Sequence, residues 1–132
     1  MVLTYLWIAL GGALGSVARA SISVAMVRIT GPYFPWGTIL INVVGSFVIG
    51  FFATLTGPAG RLPVPADARA FVMVGVCGGF TTFSSFSLQT LELARAGRPG
   101  QALANIGLSV LLCLAGVAAG HYGATGMNGA GS

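Results

Sequence analysis

The stretch "GVCGGFTTFSSFS", Gly75 to Ser87, lies in the middle of a long apolar segment, and its reading decides the fold. It holds three glycines, two threonines, three serines and three phenylalanines. Each of Gly75, Gly78 and Gly79 weakens a helix by about 1 kcal/mol relative to alanine. Thr81 and Thr82 are β-branched and disfavour it further. An interruption of the helix near Gly78–Thr82 is therefore expected. Whether that interruption means anything depends on what surrounds the segment.

The surroundings are apolar. The chain has 132 residues, of which 55% are hydrophobic and only 6% charged. A soluble domain carries roughly 25% charged residues. Such a chain cannot cover a water-facing surface, so a single membrane-embedded domain over residues 1–132 is expected. Four apolar segments follow one another: Thr4 to about Val27, Trp36 to about Thr56, Ala68 to about Thr90, and Gly100 to about Tyr122. Each reaches the ~20 residues a helix needs to cross the hydrocarbon layer. The first lacks the basic start of a signal peptide and is read as a spanning helix. The connections carry breakers, as in "RITGPYFP" and "GPAGRLPVPAD". The tail "GATGMNGAGS" from Gly123 is expected to be loose.

Unwound backbone at membrane depth persists only where it is buried in protein or lines a cavity. The Gly78–Thr82 segment is accordingly read as a site rather than a mere kink, because idle backbone groups in lipid are costly. Carbonyls converging on one point can hold a cation, and half-helix N-termini favour anions.

The charges exclude several functions. All six basic residues are arginines, and they are scattered, unlike the clustered face that nucleic acid requires. Asp67 and Glu92 are the only acids, and Cys77 and Cys113 both fall in apolar segments. No nucleophile–base pair or metal-ligand spacing appears, so an enzyme is not expected. With four spans, the side bearing both termini carries Arg61 and Arg69, and the other carries Arg28, Arg95 and Arg98. That bias is weak under the positive-inside rule, and insertion in both orientations, with antiparallel pairing, becomes possible.

Polar residues recur at helical spacing within the spans. Thr38, Asn42, Ser46 and Gly50 share one face of the second, and Asn105, Ser109 and Cys113 one face of the fourth. Such stripes serve either helix packing through interhelical hydrogen bonds or a polar pathway. The abundant glycines, 21 in all, point mainly to close helix packing. Arg19 lies inside the first span, roughly 12 Å from its end. It either snorkels to the interface or faces a water-filled cavity and attracts anions. Phe80, Phe83 and Phe86 follow at spacing three. They pack against lipid or core, or they present positive ring edges to an anion.

"GGALGSVAR", "PWGTILINVVGSFVIG" and "GVCGGFTTFSSFS" together resemble the bacterial fluoride channel family, Fluc or CrcB, over about Leu3 to Gly120. The resemblance implies an all-α membrane protein with four transmembrane helices per subunit and the third helix broken at its centre. It implies an antiparallel dual-topology homodimer, a second copy of the chain being the partner. Two breaks crossing at the dimer centre would hold one structural Na+ through the carbonyls of Gly78 and Thr81 from each subunit. Fluoride, the implied substrate, would pass along two pathways lined by Asn42, Phe83, Phe86 and Ser109, with Thr38, Thr82 and Arg19 beside them. The implied function is passive fluoride export across the cytoplasmic (inner) membrane, which relieves fluoride toxicity. Asn105 stands where the family can have Tyr, Cys113 at a hydroxyl position, and Gln89 where an acid can occur. The main rival is a small dual-topology proton-coupled multidrug exporter. It needs an intramembrane carboxylate, and both acids fall at span edges.

Overall fold

The computed structural model describes residues 1–129, which are helical apart from short connections, with no strand among them. Helix α1 runs Val2–Thr30 and α2 runs Trp36–Leu55. The third span is composite: α3 (Ala66–Ala70), a π-helical stretch (Phe71–Cys77), α4 (Gly78–Phe80) and α5 (Phe83–Arg95). Helix α6 runs Pro99–Gly129. Four stretches, Val2–Thr30, Trp36–Leu55, Ala66–Arg95 and Pro99–Gly129, are long and apolar enough to cross a membrane. The spans match the four apolar segments of the sequence and overrun most of their expected ends.

Breakers stop the helices where the sequence puts them. At the end of α1, Gly31 adopts φ +82°, and its N–H bonds to Val27 O at 2.9 Å. Past α5, Gly97 adopts φ +76°, and Pro99 then opens α6. These left-handed turns favour glycine, which has no Cβ to clash. A charge meets the end of α2: Arg69 Nη1 donates to Ala53 O at 3.4 Å and to the Thr56 hydroxyl.

The expected loose tail is instead helical through Gly129, while residues 130–132 lie outside the described residues. Bonds to the last turn of α2 and to the connection after it hold the tail. The Arg61 N–H donates to Asn128 Oδ1 at 2.7 Å, and Asn128 Nδ2 donates to Thr54 O at 3.4 Å. At this same end of the bundle, the Thr4 hydroxyl donates to Asp67. At the other end, the Arg98 guanidinium lies over the Tyr33 ring, 5.7 Å from its centroid.

Two close seams hold the bundle together. In one, α1 lies against the first half of the third span. A Cβ on Gly79 would sit 2.6 Å from Gly12 O, and one on Gly15 would collide with Val76 O. In the other, α2 packs along α6, where a Cβ on Gly120 would collide with Phe47 O. Small residues allow this backbone approach, which is what helix association in lipid relies on. The buried apolar core is correspondingly small, with Ile39, Ile41 and Leu55 among its members. Large apolar side chains such as Leu6, Leu10, Leu103 and Leu111 face outward, as a surface solvated by lipid requires.

Candidate functional site

The site is built around two extended residues. Thr81 (φ −81°, ψ 155°) and Thr82 (φ −151°, ψ 106°) separate α4 from α5. Extension leaves the Thr82 N–H outside any helical ladder, at a cost of several kcal/mol in a membrane if unpaired, while the Thr82 carbonyl, at the N-cap, begins the ladder of α5. Asn42, on α2, takes both. Its Nδ2 donates to Thr82 O at 3.2 Å, and its Oδ1 accepts the Thr82 N–H at 2.8 Å. One side-chain amide thus stands in for a neighbouring strand. The second N–H of the amide remains for another acceptor.

Helix α5 restarts on a side-chain cap. Thr82 Oγ1 accepts the Ser85 N–H at 3.2 Å, in the manner of a threonine N-cap. These two diversions have a consequence for the carbonyls before them. In an unbroken helix the Thr82 N–H would bond Gly78 O, and the Ser85 N–H would bond Thr81 O. Both donors are taken elsewhere, so the carbonyls of Gly78 and Thr81 are released from helical pairing. The intervening Gly79 O has new partners: Arg19 Nε at 3.1 Å and, more weakly, the Ser16 hydroxyl at 3.5 Å. Arg19 is not among the residues that line the cleft described next. It caps the carbonyl end of α4, where a cation is favoured.

Beside the interruption lies a cleft of about 340 Å³. Asn42, Thr82, Phe83, Phe86 and Ser109 line it, and so do Ser46, Gly78, Thr81 and Cys113. The Phe83 and Phe86 rings meet with centroids 5.3 Å apart and planes tilted by 53°. Phe83 is 78% exposed on the single chain. Gly45 makes room for the interruption, since a Cβ there would collide with the Thr81 methyl.

Thr38 does not reach this cleft. It is buried one turn before Asn42 and lines a smaller cavity of about 190 Å³ with Gln89 and Glu92. Gln89 Oε1 is buried there without a hydrogen-bond partner among the described residues. The polar stripe of α2 is thus divided. Asn42 and Ser46 face the large cleft, Thr38 the small one, and Gly50 packs against Val117 of α6. The stripe of α6 is divided too: Ser109 and Cys113 line the cleft, while Asn105 is buried behind it.

Three contributors escaped the sequence reading. Ser16 and Ser85 serve the interruption, and Thr90 receives Asn105 Nδ2 at 2.9 Å. Ser85 carried a signal, because Thr82-x-x-Ser85 has the spacing of an N-cap pair. Thr90 carried none, since its partner lies on another helix.

These features define a multi-pass membrane protein whose third span is interrupted beside a polar, aromatic-lined cleft. Residues 6–121 match the family described as "CrcB-like protein, Camphor Resistance (CrcB)", and the chain belongs to that family. It is 60% identical over 124 residues to a protein of Opitutus terrae, covering 94% of each chain. It is 59% identical over 126 residues to one of Rhodospirillum rubrum, covering 96% of this chain and 98% of that one. A third, from Methylocella silvestris, is 57% identical over 124 residues, covering 94% of this chain and 95% of that one. All three relatives bear the name "Fluoride-specific ion channel FluC". The four apolar spans and these bacterial relatives make the chain a multi-pass protein of the bacterial cell membrane, of a channel family rather than an enzyme family.

Proposed function

We propose that the protein is a passive fluoride channel that exports the ion across the cytoplasmic membrane and relieves its toxicity. One observation carries the reading: the Asn42 amide pairs with the extended backbone of Thr82 and so holds an interruption open beside a cleft lined by Phe83, Phe86 and Ser109. The names of the relatives supply the ion.

The chemistry of the cleft suits a small, strongly hydrated anion. The remaining amide N–H of Asn42, the hydroxyl of Ser109 and the ring edges of Phe83 and Phe86 are neutral, weak partners. Serial weak sites replace part of a hydration shell and still let the ion leave. A full charge in the path would hold fluoride too tightly, and Arg19 is engaged with Gly79 O instead. Thr82 shapes the path by capping α5, and Thr38 borders the smaller cavity further along α2. Hydrogen fluoride entering from acid surroundings and ionising inside would supply the outward gradient.

The working unit of this proposal is an antiparallel homodimer of one dual-topology chain, with two pathways. The 78% exposure of Phe83 supports it, because an aromatic of the cleft is left uncovered on the single chain. The near-even split of loop arginines, two against three, supports it as well. The carbonyls of Gly78 and Thr81, released from helical pairing, are the groups that would hold a structural Na+ shared by the two chains; bound there, the ion would offset their negative ends and tie the two chains together. A proton-coupled drug exporter is disfavoured, since Asp67 bonds to Thr4 near the bundle end and Glu92 falls in the last turn of α5.

The test is efflux from liposomes holding the purified protein, followed with a fluoride electrode and with chloride as control. Fluoride is expected to leave and chloride to stay. Phe83→Ile or Phe86→Ile is expected to slow efflux severely while the dimer remains intact on gel filtration. Equal passage of both halides would overturn the selectivity, and wild-type rates in both variants would remove the rings from the mechanism.

A further inference from the structure

The hydrogen bonds behind the cleft form one directed chain. Ser109, a residue of the cleft lining, donates its hydroxyl to Asn105 Oδ1 at 3.3 Å. Asn105 Nδ2 donates to Thr90 Oγ1 at 2.9 Å, and Thr90 Oγ1 donates to Phe86 O at 2.7 Å. Asn105 is 1% exposed and reaches the cleft only through Ser109. The direction of the chain follows from its far end. A carbonyl oxygen can only accept, so the single Thr90 proton goes to Phe86 O, and Thr90 must accept from the Asn105 amide. The nitrogen of Asn105 therefore faces Thr90, and its oxygen is left facing Ser109.

That oxygen and an anion in the cleft want the same proton. Ser109 has one O–H, and a fluoride beside it needs that O–H as donor. At 3.3 Å the bond to Asn105 is longer than the 2.7–2.8 Å typical of O–H···O pairs, so the proton is loosely held. We propose that Asn105 is a positioning residue that competes with the passing anion for the Ser109 proton, and that Thr90 anchors it for this role. The inference rests on the reading of the cleft as a fluoride pathway. Its consequence is a tuned site: a hydroxyl free to donate fully would hold fluoride longer, and an acceptor placed behind it draws the O–H back into its hydrogen bond as the ion leaves. Weak retention of this kind is what conduction requires.

The experiment measures fluoride efflux against fluoride concentration for the full chain in liposomes. Asn105→Leu removes the competing oxygen, and the half-saturating fluoride concentration is expected to fall about fivefold, the factor of one ordinary hydrogen bond. Thr90→Val releases the anchor and should shift it the same way by less. In a Ser109→Ala background the Asn105→Leu shift should vanish, because the contested proton is gone. A purely structural role would alter stability alike in both backgrounds and would not cancel in this way. An unchanged or raised half-saturation in Asn105→Leu, or a shift that survives in Ser109→Ala, would overturn the proposal. Should Asn105→Leu fail to give an intact dimer, Thr90→Val decides, and wild-type half-saturation there overturns it. A wild-type protein that passes no fluoride would instead overturn the channel reading beneath.

Discussion

The two halves of the third span are held by different means. Before the interruption, the backbone itself is the contact surface: Gly75 and Gly79 lie against Gly11 and Gly12 of α1 with no room for a Cβ. After it, side chains make the contacts. Asn42 grips Thr82, Thr82 caps α5, and Asn105 of α6 reaches Thr90. The first half is locked by shape, which admits little adjustment. The second is held by hydroxyls and amides, whose donors can be exchanged between protein and ion at small cost. A channel needs both, a rigid frame to keep the interruption open and an adaptable wall for the ion to move along.

The contrast is sharpest at Gly79. A valine there would drive its Cβ to within 2.6 Å of Gly12 O, and a backbone atom cannot rotate aside. Overpacking of this sort costs about 1–3 kcal/mol or more. Gly79→Val is expected to abolish monodisperse protein on gel filtration. A folded, conducting Gly79→Val protein would erase the distinction between the halves.

Asn42→Ala tests the junction. It leaves the Thr82 N–H without its acceptor, at about 1–3 kcal/mol for a group left unpaired, and takes one donor from the Thr82 carbonyl. Assembled protein with a lowered Tm is expected, and fluoride efflux reduced about tenfold or more, the factor that ~1.4 kcal/mol represents. Unchanged Tm would mean that the interruption holds itself open without the amide.

Arg19→Met should have the smallest effect of the three. The substitution keeps most of the packing of the stem and loses the bond to Gly79 O, about 1.5–3 kcal/mol for a charged donor at full burial and less at this half-buried position. A modest fall in Tm with near wild-type efflux is expected, since Arg19 does not line the cleft. A severe loss of flux at unchanged Tm would assign Arg19 to the ion path after all.

Much of this arrangement was legible in the chain. Four spans follow from hydrophobic length, and the two extended threonines fall inside the Gly78–Thr82 window that glycine and β-branching marked out. The polar stripes were visible as well, though not their division. Thr38 and Asn42 lie one turn apart and sound alike in sequence, yet they border different cavities. The π-helical turn of Phe71–Cys77, where Gly75 meets Ile8 and Gly11 of α1, had no signal in the sequence. The tail misled as well: "GATGMNGAGS" is poor in helix formers, and it is the bonds between Asn128, Thr54 and Arg61 that hold its helix through Gly129.

What the sequence determined alone is what depends on local chemistry and on the solvent. Apolar length demands a membrane, glycine and proline end helices, and a cluster of glycines and threonines cannot stay helical without help. Tertiary structure alone decided which oxygen each freed donor meets. The Asn42 amide on the Thr82 backbone, the Arg19 guanidinium on Gly79 O and the Asn105 amide on the Thr90 hydroxyl all join residues from different helices. A polar group's preference is satisfied by any partner within about 3 Å, so only the packing of the helices, set by their glycine seams, chooses among them.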